Sequence, residues 1–175
     1  MDQLDRTEGA SRVRWDVLDR TTSSGRTSCG LVDERLTIPS VPYNRLKQPY
    51  EHATRSGRET DWERFVEAVA AQAISLTQEE GFWLVDTAQT APPGYRAGAA
   101  LARGLASIAT SATWRTPALS ALVRLGRHSS PEVRLQALEA AAEIDTQAAV
   151  LLAKLLRDDS HPAVQQAVRA VRAMR

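Results

Sequence analysis

The chain has 175 residues, 22 Lys and Arg against 21 Asp and Glu, a net charge of +1, and 43% hydrophobic residues. That balance gives no global attraction to nucleic acid or membrane, and the length suggests one domain with an appendage. Cys29 is the only cysteine, so an intrachain disulfide is excluded, and no stretch reaches the roughly 18 apolar residues of a membrane span.

The chain opens Met1-Asp2-Gln3-Leu4 with no apolar leader, so the expected location is the cytoplasm. Residues 1–60 carry ten basic and nine acidic side chains, a balance of +1. Residues 61–90 carry one and six, or −5, and residues 91–175 carry eleven and six, or +5. Such asymmetry predicts that opposite ends of the molecule meet different partners, or present solvated faces of opposite sign.

Residues 1–59 read as an extended N-terminal arm. Val13, Trp15 and Val17 alternate with Arg14 and Asp16, a short strand pattern, and Leu36-Thr37-Ile38 gives a weaker second one. The polar run Thr21 to Ser28 between them makes a hairpin conceivable. Pro39, Pro42 and Pro49 argue against a long helix before about residue 50. Trp15 is the arm's candidate anchor, to the helical body or to a partner.

From residue 60 to 175 the apolar period becomes 3.6, the pattern of an all-α domain of about seven helices. Thr60-Asp61-Trp62-Glu63 and Thr77-Gln78-Glu79-Glu80 both read as capping boxes. The first leads into an apolar stripe of Phe65, Val66, Val69, Ala70 and Ile74, the second into Phe82 to Val85. Ala91-Pro92-Pro93-Gly94 breaks the chain. Leu101, Leu105 and Ile108 mark a third helix, Thr116-Pro117 the start of a fourth, and Ser130-Pro131 the start of a fifth. A sixth begins near Thr146 and a seventh at Pro162.

The last half of this pattern repeats. Ser130-Pro131-Glu132-Val133 returns as His161-Pro162-Ala163-Val164, thirty-one positions on. The helices before each Pro align at an offset of thirty, with Ala118, Ala121, Leu122 and Leu125 falling on Ala148, Leu151, Leu152 and Leu155. A period of this length means stacked helical pairs that bury a core only together.

Pro131-Glu132-Val133-Arg134 opening a helix, then Ala137, Ala140 and Ala141, then a Leu-rich helix ending Arg157-Asp158-Asp159, resembles the HEAT-like repeat family. The short unit is similar to that of phycobilin lyases and many bacterial scaffold proteins. The resemblance covers residues 117–174 and extends weakly back to 60. It implies a right-handed α-solenoid whose second helices line a concave, partner-binding face. It also implies that Arg134 ties adjacent turns through an acidic residue, for which Asp145, Asp158 and Asp159 are the candidates. Gln165 stands where the second copy of such a repeat has Arg.

At the offset of thirty, Arg124 and Arg127 fall on Lys154 and Arg157, which predicts a basic ladder along two successive second helices. Such a ladder suits an acidic partner segment or a few phosphates; paired with neighbouring carboxylates it is a solvated face instead. His52, His128 and His161 lack metal-ligand spacing, and Asp158-Asp159-Ser160-His161 is too local for a catalytic relay. The reading is a non-enzymatic protein-binding scaffold, adaptor or regulator, without cofactor or metal, monomeric or in a hetero-complex. Its partner-binding residues are Arg124, Arg127, Lys154, Arg157 and Trp15. The alternative is a nucleic-acid-binding helical-repeat protein using the ladder, and a lyase-like or glycosylase-like enzyme is third.

Overall fold

The computed structural model describes residues 44–90 and 94–173, all within one compact unit, Ser40–Arg175. The described residues form eight α-helices: α1 (Lys47–Ser56), α2 (Glu59–Gln72), α3 (Gln78–Gln89), α4 (Tyr95–Ile108), α5 (Ala112–Leu125), α6 (Pro131–Ile144), α7 (Thr146–Leu155) and α8 (Pro162–Ala173). Helices α2, α4, α6 and α8 pack side by side as one layer. The second layer is built on them by α1, α3, α5 and α7, with α3 against α5. The core lies between the layers, and its middle is rich in small side chains. On α4, Ala97, Ala100, Ala102 and Ala106 are buried beside Leu101 and Leu105, which lets helix axes approach closely.

Several helix starts follow local chemistry. Thr77 caps α3 by accepting from Glu80 N, and Glu80 Oε2 accepts from Thr77 N at 3.0 Å, so the expected capping box is present. Pro131 and Pro162 open α6 and α8 from the first turn, where a missing N–H costs nothing. Asp145 alone separates α6 from α7, and its Oδ1 accepts from Gln147 N at 2.7 Å.

Other expectations are corrected. The stretch expected to be extended contains α1, which belongs to the packed body. Pro49 is only its third residue, where the missing donor is harmless, and Asn44 Oδ1 accepts from Leu46 N and Lys47 N at 3.0 and 3.2 Å. Leu46 and Ala53 are fully buried, and the Tyr50 ring meets Trp62, Phe65 and Trp83 edge-on at 5.5, 5.4 and 5.5 Å. The expected strand segments, Trp15 and Cys29 lie outside the described residues.

Thr60 does not cap α2. The Gly57-Arg58 turn starts that helix at Glu59, and the Asp61 carboxylate is taken by Ser56, by Arg64 at 3.2 Å and by His52 at 3.6 Å. Ile74, expected on the buried stripe, lies beyond the last residue of α2 and is fully exposed. Nor does Pro117 open a helix: α5 begins at Ala112 and Pro117 is its sixth residue. The carbonyl left without a donor is that of Thr113, an exposed residue that water can serve. Burial of Trp114, whose edge meets Phe82 at 5.3 Å, favours the earlier start.

Candidate functional site

The second helices carry the candidate site, and its make-up depends on their rotation about their own axes. In α5 Ala118, Ala121, Leu122 and Leu125 are buried, after Trp114 in the first turn. In α7 Ala149, Leu152 and Ala153 are buried, with Val150 beside them and Leu156 just past the end. Four buried positions, Ala118 to Leu125 against Ala149 to Leu156, therefore repeat at thirty-one residues, the same spacing as the prolines, and not at the thirty expected from the residue pattern. A shift of one residue turns a helix by about 100°, so the expected equivalences fail. Arg124 corresponds to Leu155, Val123 to Lys154, Ser120 to Leu151 and Arg127 to Asp158.

The exposed side is consequently mixed. Val123 is 42% exposed, Leu151 63% and Leu155 43%, values that mark large apolar side chains left in water. Arg127 follows Val123 by four residues and Lys154 follows Leu151 by three, while Arg124 is the next residue after Val123; all three cations are exposed. In α3, burial of Gly81, Leu84, Val85 and Ala88 places exposed Asp86 in the position of Val123 and Lys154. That position thus runs acidic, apolar, basic through three successive second helices.

Arg124 and Arg127 make no ion pair among the described residues, and neither does Lys154. Arg157 lies 3.8 Å from Asp158, both well exposed, and such a pair is worth at most about 1 kcal/mol. Arg124 of α5 and Arg127 just past its end line a cleft of about 500 Å³ with Ser120 and Val123, facing Asp86 and Gln89 of α3 and Thr90 at its C-cap. Lys154 and Arg157 line none of the clefts beside these arginines. The structure therefore brings Arg124 and Arg127 together with an acidic neighbour, and sets the α7 cations apart from them.

Beyond α3 the layer opens. Helices α1 and α3 do not form a closely packed pair, and a groove of about 1330 Å³ separates them. Phe82, 55% exposed, and Trp83 line it together with Glu51, Glu79 and Asp86. Sequence reasoning missed this groove because it took Phe82 to Val85 as one apolar run and gave Phe82 no face of its own. The signal was present: with Phe82 to Val85 all apolar, a helix turn cannot bury every one.

Buried ion pairs hold the framework beneath these faces. Arg134 Nε and Nη2 donate to Asp159 Oδ2 and Oδ1 at 2.6 and 2.9 Å, and its Nη1 donates to the His128 and Ser129 carbonyls at 2.9 and 2.7 Å. Of the three expected acceptors Asp159 is the one used, and the Arg134 guanidinium holds its carboxyl below the usual range. Gln165 keeps only the neutral part of this arrangement, donating to the Arg157 and Asp159 carbonyls at 2.8 and 2.9 Å. At the other end Arg45 donates to Glu80 through Nε at 2.8 Å and Nη2 at 2.9 Å. With its side chain 2% exposed, Glu80 is lowered to about 2 by that guanidinium, helped by the Thr77 and Arg45 backbone N–H groups.

His128 Nδ1 accepts from Ser130 N at 3.0 Å, a local loop role. Among the described residues no group of three His, Cys, Asp or Glu side chains could hold a metal ion, and no helix is long and apolar enough to cross a membrane.

No curated protein and no solved structure is significantly similar to the chain. Residues 83–172, just over half of it, match the family model of HEAT repeats. The match spans α4 to α7 whole, with most of α3 and α8. Paired helices in two layers, a thirty-one-residue spacing and an Arg–Asp tie across it agree with that match, and the chain belongs to the HEAT repeat family.

Proposed function

We propose that this protein is a non-enzymatic adaptor or regulator that binds a protein partner on the exposed side of α3, α5 and α7. HEAT repeats generally mediate protein interactions, and one observation here carries the reading further. Apolar and basic side chains exchange places from one second helix to the next, Val123 and Arg124 on α5 against Lys154 and Leu155 on α7. A phosphate backbone is best met by cations in a continuous row, whereas a protein segment offers apolar and acidic side chains interleaved. Each half-exposed Leu or Val gains roughly 1 kcal/mol when covered, and each rim charge less. The apolar positions therefore supply affinity, and Arg124, Arg127, Lys154 and Arg157 select a partner segment of acidic character. The protein uses no cofactor in this role, and its single cysteine suits the cytoplasm.

The test compares capture from the native host by the wild-type chain and by a variant with Val123, Leu151 and Leu155 changed to Ser. The expected result is one predominant protein retained by the wild type and lost by the variant, at unchanged helicity. Retention that survives these substitutions but disappears with nuclease or moderate salt would replace the reading with nucleic-acid binding.

A further inference from the structure

The groove between α1 and α3 has the opposite charge to the faces of α5 and α7. Glu51 from α1 and Glu79 and Asp86 from α3 line it, against Lys47 alone. None of the three carboxylates makes an ion pair among the described residues. Between them lie Phe82, 55% exposed, and the half-buried Trp83. At about 1330 Å³, the groove exceeds the roughly 300–1,000 Å³ of small-molecule sites. An apolar floor with unpaired acids along both walls suits a helix that carries one apolar stripe and basic flanks.

We propose that this groove receives a basic amphipathic helix of a partner protein, its apolar stripe on Phe82 and Trp83 and its Lys or Arg residues toward Glu51, Glu79 and Asp86. The proposal rests on the previous reading only in taking the exposed side of the second layer as protein-binding. It assigns that side two chemistries: basic-seeking at α1 and α3, acid-seeking at α5 and α7. Side-chain contacts tie the two groove walls together. Glu80, one position after Glu79, is locked by Arg45, and the Tyr50 ring links α1 to Trp83 at 5.5 Å.

The experiment uses the full chain and two fluorescein-labelled helical peptides, one of Leu and Lys in amphipathic order, the other with Glu replacing every Lys. Fluorescence anisotropy should show the Lys peptide bound and the Glu peptide not, with affinity falling as salt rises from about 0.05 to 0.3 M. Combined Glu51→Lys, Glu79→Lys and Asp86→Lys should weaken binding at least about tenfold, and Phe82→Ala should do so by itself. A control triple, Glu139→Lys, Glu143→Lys and Asp158→Lys, makes the same charge change at exposed positions elsewhere and should leave binding unaltered. Should Phe82→Ala lose helicity, the charge triple, confined to exposed side chains, decides alone. Equal loss in the control triple, equal binding of both peptides, or no binding of the Lys peptide overturns the proposal. Loss on Arg124→Glu and Arg127→Glu, with the groove variants normal, overturns it too while leaving the α5 and α7 face standing.

Discussion

Glu80 and Gly81 are adjacent and constrain the fold in different ways. Glu80 is depressed from 4.5 to about 2 by Arg45, so its folded state holds the charged form more strongly than the unfolded chain does. The stabilisation is complete above pH 5 or so and is lost as the pH falls toward 2. With Arg45 40% exposed and partly screened, it amounts to about 2 kcal/mol. Glu80→Gln should lower stability by about that amount at pH 7, and urea unfolding should show the gap to wild type closing near pH 2. Gly81 faces Trp114 so closely that a Cβ there would lie 2.2 Å from Cζ2 of the ring. Ala is the better helix former by about 1 kcal/mol, yet overpacking of this kind costs about 1–3 kcal/mol. Gly81→Ala is therefore expected to lower the urea midpoint; a raised midpoint would show that the Trp114 ring can shift aside.

Among the elements, α1 decides where the folded body starts. A chain beginning at residue 60 would lose Leu46, Ala53 and the Tyr50 ring from the core, and Glu80 would lose its guanidinium partner. Uncovered Trp62, Phe65 and Trp83 and an unpaired buried carboxylate are together severe. That truncation should aggregate or unfold at low denaturant, while one beginning at residue 44 retains all eight described helices and should unfold in a sharp transition. Circular dichroism and sedimentation of the two would separate them, and a monodisperse, cooperatively folded 60–175 would show that α1 is a removable cover. Helix α8 is held by Val164, Val168 and Val171 together with the Gln165 carbonyl contacts, a lighter attachment than the Arg134 clamp gives α6.

Over the described body as a whole, stability is graded because every unit packs only on its neighbours. Helix α4 touches α2, α3, α5 and α6, whereas α8 touches α6 and α7, and α1 is packed closely only on α2. Hydrogen exchange should therefore be slowest in α4 and α6 and fastest in α1 and α8, through local opening that leaves the middle intact. Protection in α8 equal to that in α4 would instead mean a single all-or-none unit.

Local sequence determined the all-α class, the paired helices, the Thr77 capping box and the proline-led starts of α6 and α8. Each of these is decided within a turn or two of helix, or by a spacing that survives in the residue string. Tertiary structure decided which way each helix faces. Alanines and leucines alternate so densely from Ala148 to Leu156 that offsets of thirty and thirty-one fit the string almost equally well. Only the partners of Leu152 and Ala153 in the core choose between them, and that choice replaces a ladder of cations with a face of mixed character. The same cause hid the groove. Phe82 is apolar and lies on an apolar run, but the space beside it exists because α1 and α3 are both set on the other layer and meet each other mainly where Tyr50 touches Trp83. Packing between segments far apart in sequence fixes that gap, and no periodicity within either helix encodes it.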